Sequence, residues 1–518
     1  MRRFRKNKGD QGMKTVLKLL PGTPDDDNRD YLPESIRGSD IVVNENGNNS
    51  RPYPARLKEC TAVLADGLTD RYYVYVPEKY DGSKPVPLII GLHGGLMTGW
   101  GHSIYTSWCY VADREGFICA FPDAHKARMW TVEGVFDGLS EEDVEGLPIA
   151  LAPADYRENH DLNMVKGLIE KMQADYNIDP GRIFMQGMSM GNLMTQQFCK
   201  YYGHMLAGAA GSGGPTQPDK LFTEDGEVLN FGGPMAIWES RPEVNGLPPG
   251  KVYDEFTANK MSRAYWMKVN ECADVPEISI VGEDNFAFFK GKKADLVYVD
   301  IKNRDHGQTL DEAFLYWDYL FSGVRKNPDG TVISGEGILK RKGDAFAAAF
   351  TAGVPKVWFK NSVRELKASP VQWQKLKYHG LNGGKIVRGD YLCVPLSFLA
   401  EMFGAKYRPS EDRLSAEMTL PDGRELQFAR GSIACVVDDT MRQMYCEALH
   451  RENELLVSVE WFCRFFYNLH VSVCNEVVYV TDHFSELSCF MADLIKDIFK
   501  GTVMPEDYSF IGSFVKKK

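Results

Sequence analysis

Arg182-Ile183-Phe184-Met185-Gln186-Gly187-Met188-Ser189-Met190-Gly191, running on into the helically spaced apolar residues of Leu193 to Tyr202, is the stretch that decides the fold. Arg182 to Met185 reads as a buried strand and Leu193 to Tyr202 as a helix. Between them lies the pentapeptide Gly187-Met188-Ser189-Met190-Gly191, a Gly-x-Ser-x-Gly pattern. Alone, that pattern is a glycine-rich turn. Between a strand and a helix it has the setting that a nucleophile elbow requires, a sharp turn that lifts a serine hydroxyl above the sheet. The flanking glycines follow from sterics: the serine backbone is strained, and side chains two residues to either side would collide. The same turn presents the Met190 N–H toward a reacting carbonyl.

Working outward, Arg71 to Pro77, Val86 to Leu92, Phe117 to Pro122, Leu206 to Gly211, Pro234 to Trp238 and Leu296 to Ile301 read as further short strands. Leu162 to Tyr176 has helical spacing. Strands alternating with helices predict an α/β fold with a mostly parallel central sheet. His93-Gly94-Gly95 follows one of these strands. There the small residues let a backbone N–H approach a substrate oxygen, so Gly94 and Gly95 are expected to complete an oxyanion hole with Met190. A general base is expected beyond a late strand. His306, in Asn303-Arg304-Asp305-His306-Gly307-Gln308 after Leu296 to Ile301, is the histidine in that place. The acid that orients it is expected after Pro234 to Trp238, where Glu239, Glu243 and Asp254 are the candidates. Glu243 is preferred, because an acid at the immediate strand end would sit in the sheet. Trp130, Trp238 and Met188 read either as core or as pocket lining.

The chain has 518 residues, 44% of them hydrophobic and 25% charged, with a formal net charge of -11. Length points to two globular units, and the acidic balance argues against nucleic acid as a partner. Eleven scattered cysteines without a Cys-x-x-Cys pair suggest neither a disulfide framework nor a zinc site, and no cofactor or metal is expected. Met1 to Lys8 is basic, but Val16-Leu17-Lys18-Leu19-Leu20 is too short for a signal h-region, and no apolar run approaches membrane-spanning length. The expected organisation is a polar leader at 1–56, a catalytic domain at 57–325 and a turn-rich linker at 326–354. A small α+β domain follows at 355–483, then a C-terminal helix and tail at 484–518. Within the α+β domain, Tyr391 to Leu399 is echoed by Leu455 to Cys463, each a short strand leading into an apolar helix. These helices are expected to end at Gly404 and Asn468, residue types that tolerate a left-handed cap.

Tyr176-Asn177-Ile178-Asp179-Pro180-Gly181-Arg182-Ile183-Phe184, the Gly-Met-Ser-Met-Gly that follows and Leu92-His93-Gly94-Gly95 resemble the polyhydroxybutyrate depolymerase and feruloyl/acetylxylan esterase group of α/β-hydrolases over about residues 60 to 325. The resemblance implies an ester substrate and a Ser-His-acid triad, mapping onto Ser189 and His306, with Glu243 within about a residue of the family's Asp. The expected activity is that of a serine ester hydrolase on carbohydrate esters or short polyesters. The alternatives are a serine peptidase on the same fold and a non-catalytic binding scaffold. Gly389 to Leu396, Phe403-Gly404-Ala405 and Phe428 to Ser432 are similar to the copper amine oxidase N-terminal-like domain, a non-catalytic module common on bacterial surface proteins. No His-x-His or Cys/His cluster for copper accompanies it. Cell-wall or polymer contact through that module is the partner it implies. Localisation stays open between cytoplasmic, from the missing export signal, and extracellular, from the domain resemblance.

Overall fold

The computed structural model describes residues 56–515 apart from 127, 137–139, 146–148, 244–253, 305 and 380–383. The polar leader expected at 1–56 lies, except for its last residue, outside the described residues. Ten strands form the central sheet: β1 Leu57–Ala65, β2 Leu68–Tyr75, β3 Val86–Leu92, β4 Ile118–Pro122, β5 Ile178–Met188, β6 Gly208–Ser212, β7 Ala236–Pro242, β8 Glu277–Val281, β9 Asp284–Phe289 and β10 Leu296–Ile301. Their order is β1-β2-β4-β3-β5-β6-β7-β10-β9-β8. Pairs from β4 through β10 are parallel and those at both edges antiparallel. This is the α/β-hydrolase arrangement that the sequence predicts.

The apolar runs of the central strands are buried on both faces. In β3, Leu88 and Ile90 point into one core and Ile89 into the other, as a period of two requires. Helices α1 Gly99–Tyr105, α2 Trp108–Glu115, α3 His160–Asp175, α4 Met190–Tyr202 and α5 Glu255–Asn270 lie among these strands in the chain. The hairpin β8–β9 is not among the strands read from sequence. Strand β7 also runs four residues past Trp238, through Glu239, Ser240, Arg241 and Pro242, all of them buried. Polar residues extend a buried strand here, and they pair in part with one another. Arg241 pairs with Glu239 at 3.3 Å, and Ser262 donates to Glu239 at 2.6 Å.

Beyond residue 326 the chain forms antiparallel sheets. The turn-rich stretch 326–354 contains Ala347–Thr351, a fully buried strand in the middle of a five-stranded sheet. The two expected strand-helix-strand units are present, with α6 Leu396–Phe403 and α7 Val459–Tyr467 as their helices. They end at Gly404 (φ 68°) and Asn468 (φ 50°), both left-handed. Helix α8, Cys489–Lys500, returns to the catalytic sheet. Its Phe490, Leu494 and Ile498 belong to the same core as Leu88, Ile237 and Tyr298, and that core also takes in Trp358 and Tyr479. Lys260 on α5 pairs with Asp497 of α8 at 3.0 Å. Among the described residues no helix is long and apolar enough to cross a membrane, and none of the eleven cysteines is in a disulfide.

Candidate active site

Ser189 stands at the junction of β5 and α4 with φ 55° and ψ -119°, a strained conformation for a residue with a side chain. Both flanking glycines are required. A Cβ on Gly187 would lie 2.1 Å from the Gly191 carbonyl oxygen, and one on Gly191 would lie 2.1 Å from the carbonyl oxygen of Leu92. The Ser189 N–H donates to Ser212 O at 2.9 Å, which fixes the elbow to the end of β6. The Ser189 carbonyl accepts from Asn192 and Leu193 and so starts the helix, while its side chain makes no capping bond.

The end of β6 joins the nucleophile to the histidine. Gly213 and Gly214 both have positive φ. A Cβ on Gly214 would touch Ser189 O at 2.8 Å, and one on Gly213 would touch the His306 ring, at 3.1 Å from Cε1 and 3.3 Å from Nδ1. Of two adjacent glycines, one thus lies against the Ser189 backbone and the other against the His306 ring. Asn192, reaching up from α4, donates to Gly213 O at 2.6 Å, and Gly211 leaves the space that its amide occupies.

The loop carrying His306 is held from several sides. Ser212 Oγ donates to Gly307 O at 2.8 Å. Gln186 Nε2 donates to Gln308 Oε1 at 2.9 Å, and the Gln308 N–H bonds the Tyr105 hydroxyl at 3.1 Å. Gln186 in turn accepts from Trp108 Nε1 at 2.9 Å and lies 3.1 Å from His102 Nε2. Burial drives the His102 pKa down to about 3, so this buried ring is neutral and donates from Nε2. Sequence reading missed Gln186, Gln308 and His102. The one signal was a polar Gln186 inside an otherwise apolar strand.

On the opposite side, the turn after β3 meets the start of α4. A Cβ on Gly95 would contact Met190 Cγ at 3.2 Å, and one on Gly94 would contact Met188 at 3.0 Å. The turn that carries Gly94 and Gly95 thus packs against the side chains of Met188 and Met190 at the elbow. His93 holds this turn from beneath. Its Nε2 accepts from the Ala124 N–H at 2.9 Å, which leaves the proton on Nδ1 to bond Gly94 O at 2.7 Å. Burial lowers its pKa to about 4, so it acts as a neutral strut. Trp130 donates to His93 O and is core; Trp238 is core beneath the sheet, bonded to Ser240. Met188, nearly buried, packs under Gly94.

The three candidate acids have different settings. Glu239 is buried against Arg241 and Ser262. Asp254 caps α5, accepting from the Thr257 N–H at 2.9 Å. Glu243, immediately past β7, accepts from the Asn303 N–H at 2.9 Å and the Cys489 N–H at 2.8 Å. Of the three it is the one whose contacts lead into the loop of His306.

No protein-family model matches the chain. It is 27% identical over 170 residues to a bifunctional acetylxylan esterase/xylanase of Neocallimastix patriciarum, covering 31% of this chain and 22% of that protein. Similarity to a feruloyl esterase B of Piromyces equi extends over 266 residues at 23% identity, 48% of this chain and 44% of the relative. A poly(3-hydroxyalkanoate) depolymerase C of Paucimonas lemoignei is 25% identical over 130 residues, 25% of this chain and 28% of that one. The chain thus spans less than half the length of each of these curated relatives. Among solved structures, an acetyl xylan esterase from Aspergillus awamori aligns with 50% of this chain and 97% of its own, at 15% identity and a TM-score of 0.37. The curated relatives that this chain resembles are thus hydrolases of carbohydrate esters and polyesters.

Proposed function

We propose that the protein is a serine esterase acting on carbohydrate esters or short polyesters through an acyl-enzyme. One observation carries the reading: a serine held at φ 55° at a strand-helix elbow, beside two adjacent glycines of which one lies against its carbonyl and the other against the His306 ring. Ser189 Oγ attacks the ester carbonyl while His306 takes its proton, then returns that proton to the leaving alcohol. The developing oxyanion is met by the N–H groups of Met190 and of Gly94 or Gly95. Met190 is the first residue of α4, so its amide carries the positive end of the helix dipole. Glu243 is the acid of the site. Its role is to bond His306 Nδ1 and balance the charge of the imidazolium, and its bond from the Asn303 N–H, three residues before His306, supports that placement. The sheets beyond residue 355 are a non-catalytic module of the kind that the resemblance to the copper amine oxidase N-terminal-like domain implies, with contact to a polymer as its role.

Hydrolysis of p-nitrophenyl acetate by the full chain is the expected result. Ser189→Ala should lower it at least a thousandfold without unfolding the protein, and a fluorophosphonate should label Ser189 alone. Activity of the variant within a few-fold of wild type would end the proposal. A panel of acetylated and feruloylated xylan fragments, hydroxybutyrate oligomers and peptide substrates then separates esterase from peptidase.

A further inference from the structure

Away from the elbow, three side chains from three different elements converge. Asp70 lies on β2, His125 follows β4, and His160 opens α3. Asp70 Oδ1 is 2.8 Å from His125 Nδ1 and 2.9 Å from His160 Nε2, and the three ligand atoms all lie within 4.8 Å of one another. The imidazole rings stand edge to face, 4.4 Å apart. Asp70 is 2% exposed, and its second oxygen, Oδ2, is buried without a hydrogen-bond partner. A buried carboxylate with an unused oxygen carries a desolvation cost that two neighbouring imidazoles on the other oxygen do not remove.

The surroundings have the form of a metal site's outer layer. The far nitrogen of His160, Nδ1, lies 2.9 Å from Asp66 Oδ2. A carboxylate on the distal nitrogen is the usual means of orienting a metal-bound imidazole, since it keeps the proton on Nδ1 and turns the Nε2 lone pair toward the ion. His125 is fixed by its own N–H, which donates to Asp161 Oδ1 at 2.9 Å. Helix α3 lies directly on β1, because a Cβ on Gly167 would stand 2.2 Å from Leu64 O, so the frame is stiff. The His125 side chain is one-third exposed, which gives an ion a route in and a water for its open position.

We propose that Asp70, His125 and His160 form a binding site for a divalent transition metal of the zinc class. Two imidazole nitrogens and one carboxylate suit zinc or cobalt rather than magnesium or calcium, which favour oxygen. On binding, His160 gives up its Nε2 proton to solvent, and His125 loses the Nδ1 proton that it donates to Asp70 in the metal-free protein and carries its proton on Nε2 instead, so both nitrogens facing Asp70 become ligands. The site lies behind the oxyanion turn. Four residues past His125, Met129 packs on Gly95, and the Arg128 carbonyl accepts from the Leu96 N–H. A metal at His125 therefore clamps the chain at His125 against β2 and α3 and stiffens the turn that carries Gly94 and Gly95.

The test uses the full chain, stripped with chelator and titrated with zinc sulfate, cobalt chloride and magnesium chloride in separate experiments. One zinc per chain should bind, cobalt should give the visible d–d bands of a four- or five-coordinate nitrogen/oxygen site, and magnesium should not compete. His125→Ala, whose side chain is partly exposed and replaceable without unfolding, should weaken zinc at least 100-fold and abolish the cobalt bands. Asp66→Asn should weaken zinc 10- to 100-fold while keeping the stoichiometry. Zinc should also raise the melting temperature of wild type and not of His125→Ala. Failure of the folded wild-type chain to bind either transition metal would overturn the proposal. So would zinc binding and cobalt spectra unchanged in both His125→Ala and His160→Ala. None of these readouts depends on esterase activity.

Discussion

Gly213→Ala isolates the part played by His306. Gly213 has φ +64°, and a methyl group there would stand 3.1 Å from His306 Cε1 and 3.3 Å from Nδ1. Carbon–carbon contacts are comfortable at about 3.5–4.0 Å, so the imidazole must retreat by roughly half an ångström. The left-handed backbone adds about 1–2 kcal/mol of strain for a residue with a side chain. The second cost is paralleled at Gly233, where φ is +79° and nothing lies within 4 Å of the missing Cβ. Gly233→Ala therefore carries the strain without the contact. Both variants should melt a few degrees below wild type at most. Only Gly213→Ala should lose turnover, by about tenfold or more, because a base displaced by a fraction of an ångström no longer meets the Ser189 proton in line. The assay is steady-state hydrolysis of p-nitrophenyl acetate, with KM and kcat separated, beside thermal melts of both variants. The loss should fall on kcat. If Gly213→Ala turns over within twofold of Gly233→Ala, His306 is not the base.

Glu239→Gln should cost stability on the order of 3–5 kcal/mol, read by denaturant titration, because it leaves Arg241 charged and unpaired where both side chains are 1% exposed. Glu243→Gln should instead lower turnover by tens to hundreds of times with a smaller loss of stability; near-normal kcat would remove it from the site. Burial raises the Glu312 pKa to about 7, only partly offset by the Ser240 hydroxyl and the Thr309 N–H, so the folded state holds this proton more tightly than the unfolded chain does. The stabilisation is complete below about pH 4 and is lost as pH rises through 7, by roughly 3–4 kcal/mol in all; Glu312→Gln should therefore gain melting temperature over wild type at pH 8 relative to pH 5, and a constant gap would refute the assignment. A fragment ending at residue 325 should be aggregation-prone or inactive although every proposed catalytic residue precedes that point, since it uncovers the surface under Phe490, Leu494 and Ile498.

Much of the sheet was legible because its strands are buried on both faces and so read as short continuous apolar runs, as in Val86 to Leu92. The elbow was legible because glycine at 187 and 191 is forced by backbone contacts of about 2 Å, a constraint that leaves a fixed spelling. Strand β7 shows the opposite case. Its last four residues are charged or turn-forming types, and it is pairing with β10, and of Glu239 and Ser240 with β6, that makes them strand, with Glu239, Arg241 and Ser262 pairing side chains from residues 23 apart in sequence. The sequence reading therefore ended the strand at Trp238 and placed both glutamates in a loop. Local pattern suggested that an acid so near the strand end would sit in the sheet, but not that Arg241 and Ser262 would meet it there. The Gln186–Gln308 bond and the Asp70–His125–His160 grouping were hidden for the same reason, since each joins residues dozens of positions apart.

The C-terminal helix connects that long-range structure to chemistry. Its first N–H, on Cys489, donates to Glu243, whose other oxygen holds Asn303, three residues before His306. The same helix start is bonded to Asp300, at the end of β10: the Phe490 N–H donates to its Oδ2 at 3.2 Å. The segments just past β7 and β10, which carry Glu243 and lead to His306, are therefore both bonded to the start of α8. An α/β sheet leaves the loops past its strand ends free to vary, and here those loops are positioned by a helix that follows the antiparallel sheets in the chain. With Glu243 and His306 in their proposed roles, these bonds tie α8 to the loop that carries the base, and substitutions in the Cys489–Phe490 turn should act on kcat before they act on the fold.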